Sequence, residues 1–214
     1  YSSFLKKIDL IKTTTLSEND FYERKDTCNG EKINILYSGR FEMSKGLLDL
    51  IESFNILSKE IINIKLNFVG WDNDKNQLFL KKMKKLISKY NLEKIVVFHG
   101  FKKVGKDLNE IYKKSDILVM PSYNEGFPRT IWEAMANSLP VISTKVGAIP
   151  LILENHKNAL LIEAGSVNNI CDSLRTIITD KTIRMKIISE GYFISKENTL
   201  EKQTNNLINL ITNT

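Results

Sequence analysis

Two cysteines, two histidines and no apolar run near the ~20 residues of a membrane span: these are the scarcities of a 214-residue chain. Cys28 and Cys171 stand far apart and match no metal-ligand spacing, which leaves them as free thiols in a reducing compartment. His99 and His156 fall in no triad-like arrangement; His99, inside an apolar run, reads as a packed or site-lining residue and not as a base. No cluster of acids suits Mg²⁺, so no metal is expected. No signal peptide, internal repeat or low-complexity block is visible, and the chain begins at Tyr1, not Met. The expectation is a fragment or cropped domain of a cytoplasmic protein.

What is present is 42% hydrophobic and 26% charged residues, enough for the core of one ordinary domain. The net charge of +6 comes mostly from lysine, densest in "KKMKKLISK" at 81–89. A solvated helix face accounts for it; the competing use is contact with a membrane surface or an anionic substrate. The basic stretches lack interleaved aromatics, so nucleic acid is not an expected partner.

Short, uniformly apolar runs read as strands at 33–40, 64–70, 94–100, 116–122 and 140–144, with a sixth at 158–164. Amphipathic stretches separate them. Leu47, Leu50, Ile51, Phe54 and Leu57 share one helical face, as do Leu80, Met83, Leu86, Ile87 and Tyr90. Further helices are expected at 107–115, 129–137, 167–180 and from Glu197 onward. Alternation of helix with continuous apolar strands predicts an α/β Rossmann-like parallel sheet covered on both faces. Residues 32–214 form that domain; the polar segment 1–31 reads as a linker with a short helix. Such sheets bind ligands outside the carboxyl ends of their strands, where Gly39 and Ser122 stand.

Two motifs lie there. In "EGFPRTIWE", residues 125–133, Pro128 suits the first helical position, so the free amides of Arg129 and Thr130 and the positive end of the dipole form an anion site. Gly126 admits a ligand close to the backbone. Glu125 precedes the turn and Glu133 follows it; carboxylates accept from hydroxyls, so a ligand with hydroxyls on both sides of a phosphate uses every part. In "SGRFEMSKG", Arg40 offers a planar fork and Lys45 a point charge for phosphate oxygens. Each motif alone is weak, and Glu133 alone is equally an ordinary helix acid. Their conjunction on one sheet edge is what points to a nucleotide sugar.

The stretches "YSGRFEMSKGLLDLIESFNIL", "LNFVGWD", "VVFHGF", "SDILVMPSYNEGFPRTIWEAMANSLPVIST" and "VGAIPLILENHKNALLI" resemble, in order over about 33–180, the donor-binding half of family 4 retaining glycosyltransferases. That resemblance implies a GT-B fold of two Rossmann-like domains. It also implies metal-independent hexosyl or N-acetylhexosaminyl transfer, from a nucleotide sugar such as a UDP-sugar to a glycan or lipid-linked acceptor, as in polysaccharide biosynthesis. Carried over, Arg40 and Lys45 hold the diphosphate and act with Glu125 in catalysis. Glu125, Gly126, Phe127 and the amides after Pro128 face the donor sugar. Glu133 takes the ribose hydroxyls, and the loop from Gly100 through Phe101 and Lys102 to Lys103 lines the base. The chain departs from the family where Gly is usual at Ser138 and Ala148, and where an acid is usual at Leu151. The acceptor domain of that family lies N-terminal and has no room here, so the implied chain is half an active site, inactive alone, with peripheral contact at the inner membrane face a further use of its basic surface. Alternatives are a non-catalytic sugar-nucleotide-binding subunit, a nucleotide-sugar epimerase of the same fold, and a glycoside hydrolase using the two glutamates. The last leaves Arg40 and Lys45 unexplained. On this reading Glu125 serves the sugar, and its loss leaves plain nucleotide binding nearly unchanged.

Overall fold

The computed structural model describes residues 14–212. Six strands, β1 (Ile33–Ser38), β2 (Ile64–Val69), β3 (Val96–Gly100), β4 (Ile117–Met120), β5 (Val141–Thr144) and β6 (Leu160–Ile162), form one sheet in the order β3-β2-β1-β4-β5-β6. Every pairing is parallel. Neighbouring residues of one strand point to opposite faces, and Ile35 and Leu36, like Leu118 and Val119, are all fully buried. Both faces are therefore covered, which is why these strands read as continuous apolar runs and not as alternation.

The coverings are α1 (Leu47–Leu57), α2 (Leu78–Lys89), α3 (Lys106–Lys114), α4 (Arg129–Ala136), α5 (Val167–Thr179), α6 (Lys181–Lys196) and α7 (Leu200–Thr212). α1 packs against α2 and α5, and α4 against α3 and α6. The five apolar residues expected on one face of α1 are all fully buried, each worth ~1.5–3 kcal/mol of transfer free energy. α2 turns Met83 and Ile87 inward and its lysines outward. Ser166 and Asp180 cap α5 and α6 by accepting from the amides of Asn169 and Ile183.

α6 is an element that sequence patterning misses. Gly191 interrupts its helical propensity, but the glycine lies against α4, where a Cβ would come within 3.2 Å of Met135 Cγ. Packing, not propensity, selects the residue. The first strand ends at Ser38, two residues earlier than expected, and β6 is shorter than expected.

Of the expected linker, residues 1–13 lie outside the described residues. Residues 14–31 contain no helix and are fastened to the domain. Leu16 is 3% exposed within the core. The Tyr22 amide donates to the Ala136 carbonyl at 2.8 Å, and the Cys28 amide to Asp116, whose other oxygen takes the Asn34 amide of β1. Arg24 spreads its guanidinium over the carbonyls of Tyr112, Lys113, Ser115 and Asn137. These carbonyls lie at the ends of α3 and α4, where helical acceptors run short of amide donors; the Tyr112 carbonyl also takes the Ser115 amide. The segment reads as linker because its polar groups are satisfied by the domain and not by structure of its own.

The sequence departures have local reasons. Ser138 adopts φ 56°, a left-handed conformation that favours glycine. Its hydroxyl compensates by donating to the Tyr22 carbonyl and accepting from the Arg24 amide. Ala148 has φ −85° and needs no glycine.

Candidate functional site

The strand order reverses between β1 and β4, and in open parallel sheets that switch point opens a crevice beyond the carboxyl ends. A cleft of about 420 Å³ lies there. Gly39, Arg40 and Lys45 line it from the end of β1, Trp71 from the end of β2, Phe101 and Lys102 from the end of β3, and Glu125, Pro128, Arg129, Thr130 and Glu133 from the turn after β4 and the start of α4.

Three close backbone approaches hold these loops in register. A Cβ on Gly46 would meet the Pro121 carbonyl oxygen at 2.1 Å, and one on Gly70 the Gly39 oxygen at 1.7 Å. Gly147, at φ +55°, lies so near the Glu125 carbonyl that a Cβ would come to 1.7 Å. The next amide, Ala148, donates to Gly126 at 3.1 Å. The loop after β5 thus props the Glu125–Gly126 turn from behind.

Glu125 Oε1 accepts from Lys45 Nζ at 2.7 Å and from Ser122 Oγ at 2.8 Å. The two charged side chains are 11% and 12% exposed. Arg40 Nη2 lies 3.6 Å from Glu42 Oε1. Glu133 is 6% exposed. Tyr112 Oη donates to its Oε2 at 2.8 Å, and Thr15 Oγ1 to its Oε1 at 3.4 Å. Burial pushes the Glu133 carboxyl above the ordinary carboxylate range, against the pull of Tyr112, Arg129 and Thr15. Tyr112 itself is driven far up, first by burial and then by the Glu133 charge. Burial and Lys102 lower His99, whose ring Nε2 shares a 3.0 Å hydrogen bond with Asn67 Oδ1. Burial pushes the Cys28 thiol up to about 11, so it is a poor nucleophile. Both cysteines are free.

Most of the expected site residues line this cleft. Pro128 stands one position earlier than expected. It is the N-cap and not the first helical residue, because its ψ of 124° is extended. The anion-site geometry survives this shift. Ile131 is the first amide to bond back, to the Pro128 carbonyl, and the amides of Arg129 and Thr130 take no acceptor among the described residues. Ser122 is fully buried and touches the cleft only through Glu125. Gly100, Gly126 and Phe127 do not line the cleft; Phe127 packs on Trp132, ring centroids 4.7 Å apart. Among residues missed by sequence reading, Trp71 directly follows an apolar strand and its glycine, the same signal that marks Arg40. It forms an edge-to-face pair with Phe101 at 4.8 Å. Tyr112 left no such signal, since its partner is 21 positions away. Among the described residues no group of three or more His, Cys, Asp or Glu side chains is placed to hold a metal ion, and no helix is long and apolar enough to cross a membrane.

The arrangement offers two cations and free helix amides for a dianion, with a carboxylate on either side for hydroxyls. Comparison with known proteins bears on the family and the fold. The capsular polysaccharide biosynthesis glycosyltransferase CapM of Staphylococcus aureus is 28% identical over 177 residues, which is 82% of this chain and 44% of CapM. The chain thus spans about half the length of the curated relatives it matches. The structure of Anabaena HepE in complex with UDP shares the fold at a TM-score of 0.78 and 22% identity, over 86% of this chain and 50% of that one. The crystal structure of the C-terminal domain of LpcC, a group 1 family glycosyl transferase of Francisella tularensis, matches at 0.73 and 27% identity, over 89% of this chain and 96% of that domain. A Rossmann-like sheet filling about half of such chains is the half-fold of GT-B glycosyltransferases. Residues 18–192 match the model of the glycosyl transferases group 1 family, and the chain belongs to that family.

Proposed function

We propose that this chain is the donor-binding half of a retaining, metal-independent glycosyltransferase of family 4. It holds a nucleoside diphosphate sugar, such as the UDP-glucose with which HepE forms a complex, for transfer to a glycan or lipid-linked acceptor, and the acceptor half belongs to the rest of the protein. The observation that carries this reading is that Glu125, Glu133, Arg40, Lys45 and the first residues of α4, Arg129 and Thr130, line one cleft.

The chemistry follows from charge. Breaking the bond between the anomeric carbon and the diphosphate leaves negative charge on phosphate oxygens. Lys45, Arg40 and the start of α4 face the cleft where that charge would develop, and their positive charge would lower the barrier without a metal ion. Glu133, inside the helix, accepts from ribose hydroxyls with the lone pairs that Tyr112 and Thr15 leave. Glu125, before the turn, serves the donor sugar and the positive charge forming at its anomeric carbon. Trp71 and Phe101 wall the side where the base lies.

Calorimetric titration of the full-length protein with UDP and GDP tests the assignment. Glu133→Gln removes a charge-assisted acceptor, about 1.5–3 kcal/mol, and should weaken nucleotide binding roughly ten- to a hundredfold. In the same protein Glu125→Gln should lower turnover far more than it changes donor affinity. A change in nucleotide affinity below twofold for Glu133→Gln returns that residue to the category of ordinary helix acids.

A further inference from the structure

Both cations assigned to the diphosphate already have carboxylate partners within the chain. Arg40 pairs with Glu42 at 3.6 Å, with side chains 49% and 35% exposed, and water screens that contact well. The Lys45–Glu125 pair is different: it is short, at 2.7 Å, and its side chains are only 11% and 12% exposed. Glu42 is 3.9 Å from the same ammonium and is its second acid neighbour.

The two partners differ in freedom. Glu125 sits on a turn braced by the Gly147 backbone, and Ser122 Oγ donates to the carboxylate oxygen that Lys45 uses. Lys45 is a point charge on a flexible four-carbon stem. The carboxylate can keep its place when the ammonium leaves, because the serine still holds it. One ammonium cannot satisfy this carboxylate and a diphosphate in full.

We infer, resting on the donor-site reading above, that Lys45 exchanges partners: Glu125 is an internal competitor for the cation that the diphosphate takes. Binding of the diphosphate draws Lys45 away and strips Glu125 of its counter-charge. The carboxylate beside the donor sugar then becomes a stronger acceptor at the step that needs one. The consequence has a sign opposite to the sequence expectation of no effect: neutralising Glu125 should tighten plain nucleotide binding.

The test is calorimetry on the full-length protein with UDP and GDP, carrying forward the tighter binder, and with inorganic pyrophosphate. Wild type, Glu125→Gln, Lys45→Met and the double variant are compared. Glu125→Gln should tighten binding about threefold or more, the scale of an ion pair released from competition, and the gain should vanish in the Lys45→Met background. Glu125→Asp keeps the charge but withdraws it by one methylene; it should also tighten, and it serves as well should Glu125→Gln fail to fold. Unchanged or weaker binding by Glu125→Gln, with wild type binding normally, overturns the exchange and leaves a fixed pair. Equal tightening with and without Lys45, and none with Glu125→Asp, overturns it in favour of through-space repulsion. If neither wild type nor any variant binds either nucleotide, the donor-site reading falls and the exchange falls with it.

Discussion

Glu133 and Tyr112 show what a buried pair asks of its surroundings. The carboxyl, raised by burial, binds its proton more tightly folded than unfolded. Between the ordinary carboxylate range and that raised value the folded state therefore holds the extra proton, and stability falls as pH rises through the window. Glu133→Gln removes this titration, so its stability relative to wild type should be greater at about pH 7 than at about pH 5. Tyr112→Phe should do the reverse. The phenol stabilises the ionised form, and leaving that form short of a donor costs about 1–3 kcal/mol, with a smaller cost in acid. Urea denaturation at the two pH values separates the variants; a cost for Tyr112→Phe that does not depend on pH would show that its hydrogen bond is unimportant beside its packing. Geometry that sets a carboxylate at the cleft thus also weighs on the fold.

Among the elements, the segment 14–31 and α6 hold each other in place. Arg184 is 4% exposed and grips Asp26 with two nitrogens, at 2.7 and 3.2 Å, while its third donates to the carbonyls of Ile177 and Ile178 near the end of α5. Burial alone would raise the Asp26 carboxyl, but the bonds from Arg184 and the Thr27 amide hold it below the ordinary range. The stability this pair supplies is present above the unfolded carboxylate range and is lost as pH falls through the lowered one. Arg184→Met strands a largely buried carboxylate and should cost about 3 kcal/mol at neutral pH, less in acid. Arg24→Lys should also destabilise, because an ammonium cannot cover four carbonyls that a planar guanidinium reaches. Denaturant melts decide both; loss below 0.5 kcal/mol, the scale of ordinary surface substitutions, would mean the segment is only loosely attached. Nothing in the local sequence marks either arginine, since their partners lie 158 and about a hundred positions distant.

At the scale of the whole molecule, a sheet with its switch point between β1 and β4 gathers the proposed nucleotide-binding groups on one cleft. The isolated 214-residue chain should therefore bind a nucleoside diphosphate, and the binding should survive EDTA, because Arg40, Lys45 and the start of α4 supply the positive charge. It should transfer no sugar in a donor-turnover assay. A strict Mg²⁺ requirement would show that the diphosphate is wrongly assigned, and transfer by the chain alone would contradict the division into halves. The lysines of α2 face outward and away from the core, so charge reversal there should leave nucleotide affinity unchanged.

Local pattern was sufficient for much of this protein. Apolar runs of strand length, helical stripes between them and their strict alternation determine a parallel sheet covered on both faces. Gly39-Arg40 closes one of those runs and Glu125-Gly126 follows another within a few residues, so the place of the cleft was legible too. Tertiary structure alone decided the rest, because the forces involved act between residues remote in sequence. It made the end of β1 and the turn after β4 neighbours at the switch point, and set Lys45 against Glu125, 80 positions away. It placed Tyr112 and Thr15 on Glu133, and turned a polar segment that looked like a linker into a strap on the domain. It kept α6 helical across Gly191 by packing it on α4. Periodicity reports which face of an element is buried; it carries no information about which charge meets which at the carboxyl edge of the sheet, where burial and low dielectric make the pairing matter.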